Sequence, residues 1–186
     1  MASRVVSKHL GLLSDAQLQA ALDRFHLGRF LGAESVPFGT FRQNVFVSST
    51  EGDYVLRGKP LFWWQFPTEQ FYARFLHERA HIPVPWPYLI DPTTDIFGWS
   101  YVLMPRMPGL QLADPQVREQ LQPTERQAIA RTLGEHLAHM QQAKWPSAGR
   151  YQATTGKNSI LALSSTRGLS TCKLWAVRSC GSSSLK

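Results

Sequence analysis

The sequence predicts an α+β fold: a small antiparallel sheet carrying one packed helix, followed by a helical region. Three observations predict it. Val45-Phe46-Val47 and Tyr54-Val55-Leu56-Arg57 are β-prone runs joined by Ser49-Thr50-Glu51-Gly52-Asp53, which has turn chemistry, so they read as a hairpin. An amphipathic helix follows, then two more strand-like runs. Beyond residue 109 the apolar spacing is helical only.

The elements follow in order. Ser14 opens a first helix, with Gln17 completing a capping-box pattern, and Leu18, Ala21, Leu22 and Phe25 recur at helical spacing towards a stop at Gly28. A strand near Phe30 to Val36 precedes the hairpin, whose second strand ends at Pro60. Pro67 and Thr68 start a helix that runs to about His81, with Phe71, Tyr72, Phe75 and Leu76 as its apolar stripe. Ile82-Pro83-Val84-Pro85 ends it, because proline lacks the helix donor. Trp86 to Ile90 and Trp99 to Met104 read as strands around a turn containing Pro92, Asp95 and Gly98. Pro105 to Gly109 reads as a linker. A short helix then fits Pro115 to Leu121 and a longer one Thr124 to Gln142, with Ile129, Leu133, Leu137 and Met140 on one face.

Composition narrows the class. With 186 residues, 43% hydrophobic, the chain is long enough for a packed core and too apolar for full disorder. No apolar run approaches the roughly 20 residues of a membrane span, no secretory signal is visible, and two cysteines are too few for a disulfide scaffold. A soluble cytoplasmic protein with no membrane partner is the expectation. The net charge of +7 is uneven. Residues 1–152 hold 15 Lys+Arg against 13 Asp+Glu, while residues 153–186 add five basic residues and no acid. The basic pI therefore describes the tail, and a nucleic-acid partner is not expected on charge alone. That tail has eight serines and four threonines and no clear periodicity. It reads as a disordered basic tail or as a stretch never selected to fold, as after a shifted reading frame.

Several segments carry possible chemistry. Gly39-Thr-Phe-Arg-Gln-Asn44 joins two strands and can present backbone amides to an anion, although a plain hairpin turn has the same look. Arg57 is a fixed cation on the second hairpin strand, or a surface charge paired with Asp53 or Glu51. Glu69 borders the apolar stripe of the helix and can point to the sheet. Val84-Pro-Trp-Pro87 and Tyr101-Val-Leu-Met-Pro-Arg-Met-Pro-Gly109 complete the set. In this order and spacing, residues from about Val36 to Gln142 resemble the aminoglycoside phosphotransferase/choline kinase-like family of small-molecule kinases.

The resemblance implies a protein kinase-like small lobe, five-stranded and mostly antiparallel with one helix, followed by the first helices of a truncated large lobe. Together with the capping and composition readings it divides the chain into four segments: an N-terminal helix (1–28), a nucleotide-binding lobe (29–107), the start of a helical lobe (108–152), and the basic tail (153–186). It assigns Gly39 and Asn44 to the phosphate-covering loop, Arg57 to the phosphates, and Glu69 to an ion pair with Arg57. Met104, Pro105 and Met107 become the hinge, where the Pro105 carbonyl accepts from adenine and the Met107 amide donates to it. Val55 covers the adenine ring. The same resemblance exposes an absence. Its catalytic loop, a His-Gly-Asp followed by Asn, and its later metal-binding Asp have no counterpart, because the last Asp is Asp114 and the last Glu is Glu135. The expectation is an N-terminal fragment, inactive alone, binding ATP weakly or not at all. Mg²⁺ and a small hydroxylated acceptor belong to intact relatives only. The apolar faces left without a large lobe point to a protein partner or self-association, so a non-enzymatic interaction module is the alternative.

His77-Glu78-Arg79-Ala80-His81 also fits H-E-x-x-H, a zinc-hydrolase pattern on a helix. The proline break after His81 and the lack of a third ligand weigh against it. Gly149 to Asn158 fails the P-loop spacing, and Cys172 and Cys180 lack a metal-binding spacing.

Overall fold

The computed structural model describes residues 4–7, 9–36, 43–142, 149–154 and 157–162. The chain begins with a hairpin of β1 (Arg4–Ser7) and β2 (Gly11–Ser14), in register Ser7 opposite Gly11. The sequence reading has only a helix in this region. The turn works because Gly11 takes φ of +85°, a left-handed conformation that costs glycine little. Helix α1 (Asp15–Arg24) then starts on the Ser14 capping box: Gln17 N–H donates to Ser14 Oγ, and the Ser14 amide donates to Gln17 Oε1. It ends at Arg24 rather than running to Gly28, since Phe25 caps it and His26 turns left-handed at φ 57°.

Five strands form the central sheet: β3 (Phe30–Ser35), β4 (Asn44–Ser49), β5 (Gly52–Gly58), β6 (Leu89–Asp91) and β7 (Tyr101–Pro105), in spatial order β3-β4-β5-β7-β6 and antiparallel throughout. The β4–β5 turn is tighter than the sequence suggests, with Ser49 opposite Gly52 and only Thr50 and Glu51 between them. Strand alternation divides the side chains between two faces. On one face Val45, Val47, Leu56, Tyr101 and Leu103 are buried with Leu10, Leu13, Leu18, Ala21 and Leu22 of the N-terminal segment. A fully buried leucine contributes about 1.5–3 kcal/mol, so α1 is an integral wall of the lobe. Gly58 belongs to this packing: a Cβ there would run into the ring of Trp99, which itself stacks on Phe97 at 4.7 Å.

The other face carries helix α2 (Gln65–Glu78). Phe66 and Tyr88 are buried there with Val102 and Met104, and Val55, Ala73, Trp86 and Ile90 pack around them. This corrects the expected stripe. Phe66 and Ala73 turn towards the sheet, with Glu69 and Gln70 bonded across to it, whereas Tyr72 is 44% exposed and Phe71 packs edge-on to Tyr72 at 5.3 Å. At about 100° per residue, the 71/72/75/76 stripe lies well over a quarter-turn away. The contacts that set the helix phase are long-range, and the aromatic spacing within the helix does not report them. The helix also starts two residues before Pro67 and ends at Glu78, short of His81.

A polar cluster fastens α1 to the β6–β7 turn. Arg24 contacts Asp91 at 3.2 Å and Asp95 at 2.5 Å, and Thr93 donates both its amide and its hydroxyl to Asp91. Burial alone would push the Asp91 carboxyl up, but the Thr93 bonds, the Tyr101 hydroxyl and the Arg24 charge together hold it below the usual carboxylate range.

Past the sheet, α3 (Pro115–Gln120) is capped by Asp114, and α4 (Pro123–Gln141) has a capping box of Gln122 and Glu125. Both match the expected spans closely. No residue of α4 is buried; Leu133 is 66% and Leu137 50% exposed. A hairpin of β8 (Gly149–Thr154) and β9 (Lys157–Ala162) spans residue 153, where the tail is expected to start; residues 163–186, with both cysteines, lie outside the described residues. Among the described residues, no helix is long and apolar enough to cross a membrane.

Candidate nucleotide cleft

The α2 face of the sheet brings the predicted residues together. Antiparallel registers place Asn44 opposite Arg57, Phe46 opposite Val55, Val55 opposite Met104, and Arg57 opposite Val102, so all six share one face. Arg57 reaches across to α2: its Nη2 lies 2.9 Å from Glu69 Oε1. The alternative partners of Arg57, Asp53 and Glu51, do not make this contact. Gln65 Nε2 donates to the same Glu69 oxygen at 3.1 Å, and the Tyr88 hydroxyl donates to the other, Oε2. Burial, and then the Glu69 bond, raise the Tyr88 hydroxyl well above the ordinary phenol range, so it stays protonated and remains a donor. Two buried polar atoms in this cluster, Arg57 Nε and Asn44 Oδ1, have no hydrogen-bond partner among the described residues.

A cleft of about 570 Å³ opens beside this pair. The sheet supplies Asn44, Phe46 and Val55; the segment from Met104 to Gln111 forms one wall; Asp114 and Val117 of the α3 region close the far side. Arg57 and Glu69 are not part of the lining; Arg57 adjoins it through its cross-strand neighbour Asn44. The hinge geometry follows from the ladder. The Arg106 amide, which follows the Tyr54–Pro105 pair, donates to the Asp53 carbonyl at 2.9 Å and so points towards β5. The Pro105 carbonyl shares that planar trans peptide and therefore points away from β5. The Met107 amide has no protein partner among the described residues.

Of the eight expected residues, Asn44, Val55, Met104, Pro105 and Met107 line the cleft, and Arg57 and Glu69 pair beside it. Gly39 lies outside the described residues. The sequence reading missed Phe46, Arg106 and Tyr88. The Arg106 guanidinium sits 3.8 Å over the Phe46 ring and 3.4 Å from Glu34, at the cleft wall. Strand alternation from Asn44 was a sufficient signal for Phe46. Tyr88 carried no local signal, since its part depends on a contact 19 residues away.

The H-E-x-x-H pattern does not survive folding. His77 occupies the last turn of α2 and stacks on Trp86 at 5.8 Å, Glu78 pairs with Arg74 at 3.0 Å, and His81 lies past the helix at φ 52°. The two histidines therefore do not share one helical face. Among the described residues, no group of three or more His, Cys, Asp or Glu is placed to hold a metal ion.

No curated protein and no solved structure gives a significant match to the chain. The family model of the phosphotransferase enzyme family matches residues 33–175, a span that runs from β3 past the β8–β9 hairpin. With a five-stranded antiparallel sheet, a packed helix bearing an Arg57–Glu69 pair, and helices following the last strand, this chain belongs to the phosphotransferase enzyme family and has its kinase-like small lobe.

Proposed function

We propose that the chain is the nucleotide-binding part of an ATP-dependent kinase of small hydroxylated molecules, of the aminoglycoside phosphotransferase type. The observation that carries this reading is the Arg57–Glu69 ion pair beside a cleft walled by the strand-to-linker segment. The side chains there suit a nucleotide. Val55, Met104 and Phe46 offer apolar surface to a base. The Pro105 carbonyl and the Met107 amide supply one acceptor and one donor for its edge. Arg57 Nε is a buried donor without a protein partner among the described residues, as a phosphate-facing group would be. Arg57 presents a planar fork of donors, and Glu69 holds that fork in place. Asn44, opposite Arg57 in the ladder, falls on the side this reading gives to the phosphates. Bound ATP supplies the transferable phosphoryl group; Mg²⁺ offsets charge on it in intact relatives.

No Asp or Glu follows Glu135 in the sequence. Residues 136–186 therefore offer no acidic side chain to align an acceptor hydroxyl, and we propose that residues 1–186 bind nucleotide weakly and do not transfer phosphoryl groups alone. The test is thermal unfolding of the full chain with millimolar MgADP or MgATP. The midpoint is expected to rise with nucleotide for the wild type and to stay flat for Arg57→Ala; ligand at 100 times Kd stabilises by about 2.7 kcal/mol. A wild-type midpoint indifferent to both nucleotides would sink the reading. Phosphoryl transfer to any acceptor by the purified chain would overturn its inactivity.

A second reading is an interaction module, resting on the exposed Leu133, Leu137 and Met140 of α4. A stable complex with another protein, alongside indifference to nucleotide, would favour it.

A further inference from the structure

We infer that Tyr88 is a positioning residue: its hydroxyl orients the Glu69 carboxylate, and through it the Arg57 fork, for binding phosphate. The inference rests on the nucleotide-binding reading and deepens it. The geometry is specific. Glu69 Oε1 is shared by Arg57 Nη2 and Gln65 Nε2, whereas Oε2 is held by Tyr88. A carboxylate held at one oxygen can swing about its terminal bond; held at both, it cannot. The Tyr88 ring is itself immobilised, being 5% exposed among Phe66, Val102 and Met104. Its backbone is tied to the same helix, because Gln70 Nε2 donates to the Tyr88 carbonyl at 2.8 Å. Residue 88 thus grips α2 at two consecutive positions, 69 by its hydroxyl and 70 by its carbonyl. The rotation and height of α2 over the sheet are set where they matter for Arg57. Burial and the Glu69 bond keep the hydroxyl protonated, so it remains a donor to the carboxylate.

A purely structural tyrosine would leave the same contacts but affect stability alone. The two roles separate in the balance between phosphate and base binding. The experiment measures binding of MgADP and of adenosine to the full chain by calorimetry, for the wild type, Tyr88→Phe, Glu69→Gln and the double variant, with thermal midpoints recorded in parallel. Tyr88→Phe keeps the ring and removes only the hydroxyl. The expected result is a loss of about tenfold in MgADP affinity, the scale of one charge-assisted hydrogen bond, with adenosine affinity unchanged. In the Glu69→Gln background the Tyr88 change should have no further effect on MgADP, because the tyrosine acts through that carboxylate. Equal losses for MgADP and adenosine, or effects that simply add in the double variant, would overturn the positioning role while leaving nucleotide binding intact. A wild type that binds MgADP no better than adenosine would overturn both the role and the reading beneath it.

Discussion

The Asp91 carboxylate, 3% exposed, lies 3.2 Å from the Arg24 guanidinium and joins helix α1 to the far edge of the sheet. Its folded-state affinity for protons is lowered, so the link contributes stability above the unfolded carboxylate pKa of about 3.9 and loses it as pH falls through the lower folded value. Urea unfolding at pH 7 should show Asp91→Ala destabilised by about 1–3 kcal/mol, since Arg24 remains partly solvated. The wild type should approach the variant as the pH drops below about 4. A constant gap between them down to pH 2 would contradict the assignment.

Leu22 and Leu133 are both leucines on amphipathic helices, yet one is fully buried and the other 66% exposed. Leu22→Ala should cost about 2–5 kcal/mol by leaving a cavity between α1 and the sheet. Leu133→Ser should change stability by less than about 0.5 kcal/mol. Combined with Leu137→Ser, it should reduce self-association in sedimentation velocity, because those side chains form an uncovered stripe on α4. Equal destabilisation by the Leu22 and Leu133 changes would mean that α4 is packed as tightly as α1.

Gly58 ends β5 directly beneath the Trp99 ring. Gly58→Ala should force that ring from its stack on Phe97 and destabilise the lobe by about 1–3 kcal/mol. The near-ultraviolet circular dichroism of the tryptophans reports the displacement, and an unchanged spectrum with an unchanged midpoint would show that the ring gives way freely.

Asn44 separates stability from binding. Its buried Oδ1 has no partner among the described residues, and an unmet acceptor is a cost that a hydrocarbon avoids. Asn44→Val suits a strand position, so it should unfold at the same or a higher temperature, while the midpoint shift with MgADP shrinks. A lowered midpoint with an undiminished nucleotide shift would mark Asn44 as purely structural.

Much of the fold was legible along the chain because its signals are short. The capping box of Ser14 and Gln17, the alternation through Val45 and Val47, the turn within Ser49–Asp53 and the proline start of α3 each depend on a few neighbouring residues. The pairing of Arg57 with Glu69 was reachable too, but through a family resemblance rather than through spacing. The sequence also determined, without any coordinates, that residues 136–186 hold no Asp or Glu. Tertiary structure alone decided which side of α2 meets the sheet. The aromatic stripe at 71, 72, 75 and 76 is the obvious apolar face, yet Phe66 and Ala73 dock and Glu69 and Gln70 reach across, because Tyr88 and Arg57 come from strands and loops distant in sequence. Periodicity reports that a helix has an apolar side, whereas the phase of its docking depends on what the rest of the chain places opposite it. The same reason hid Tyr88, a lone tyrosine in a proline-rich loop until folding set its hydroxyl against Glu69.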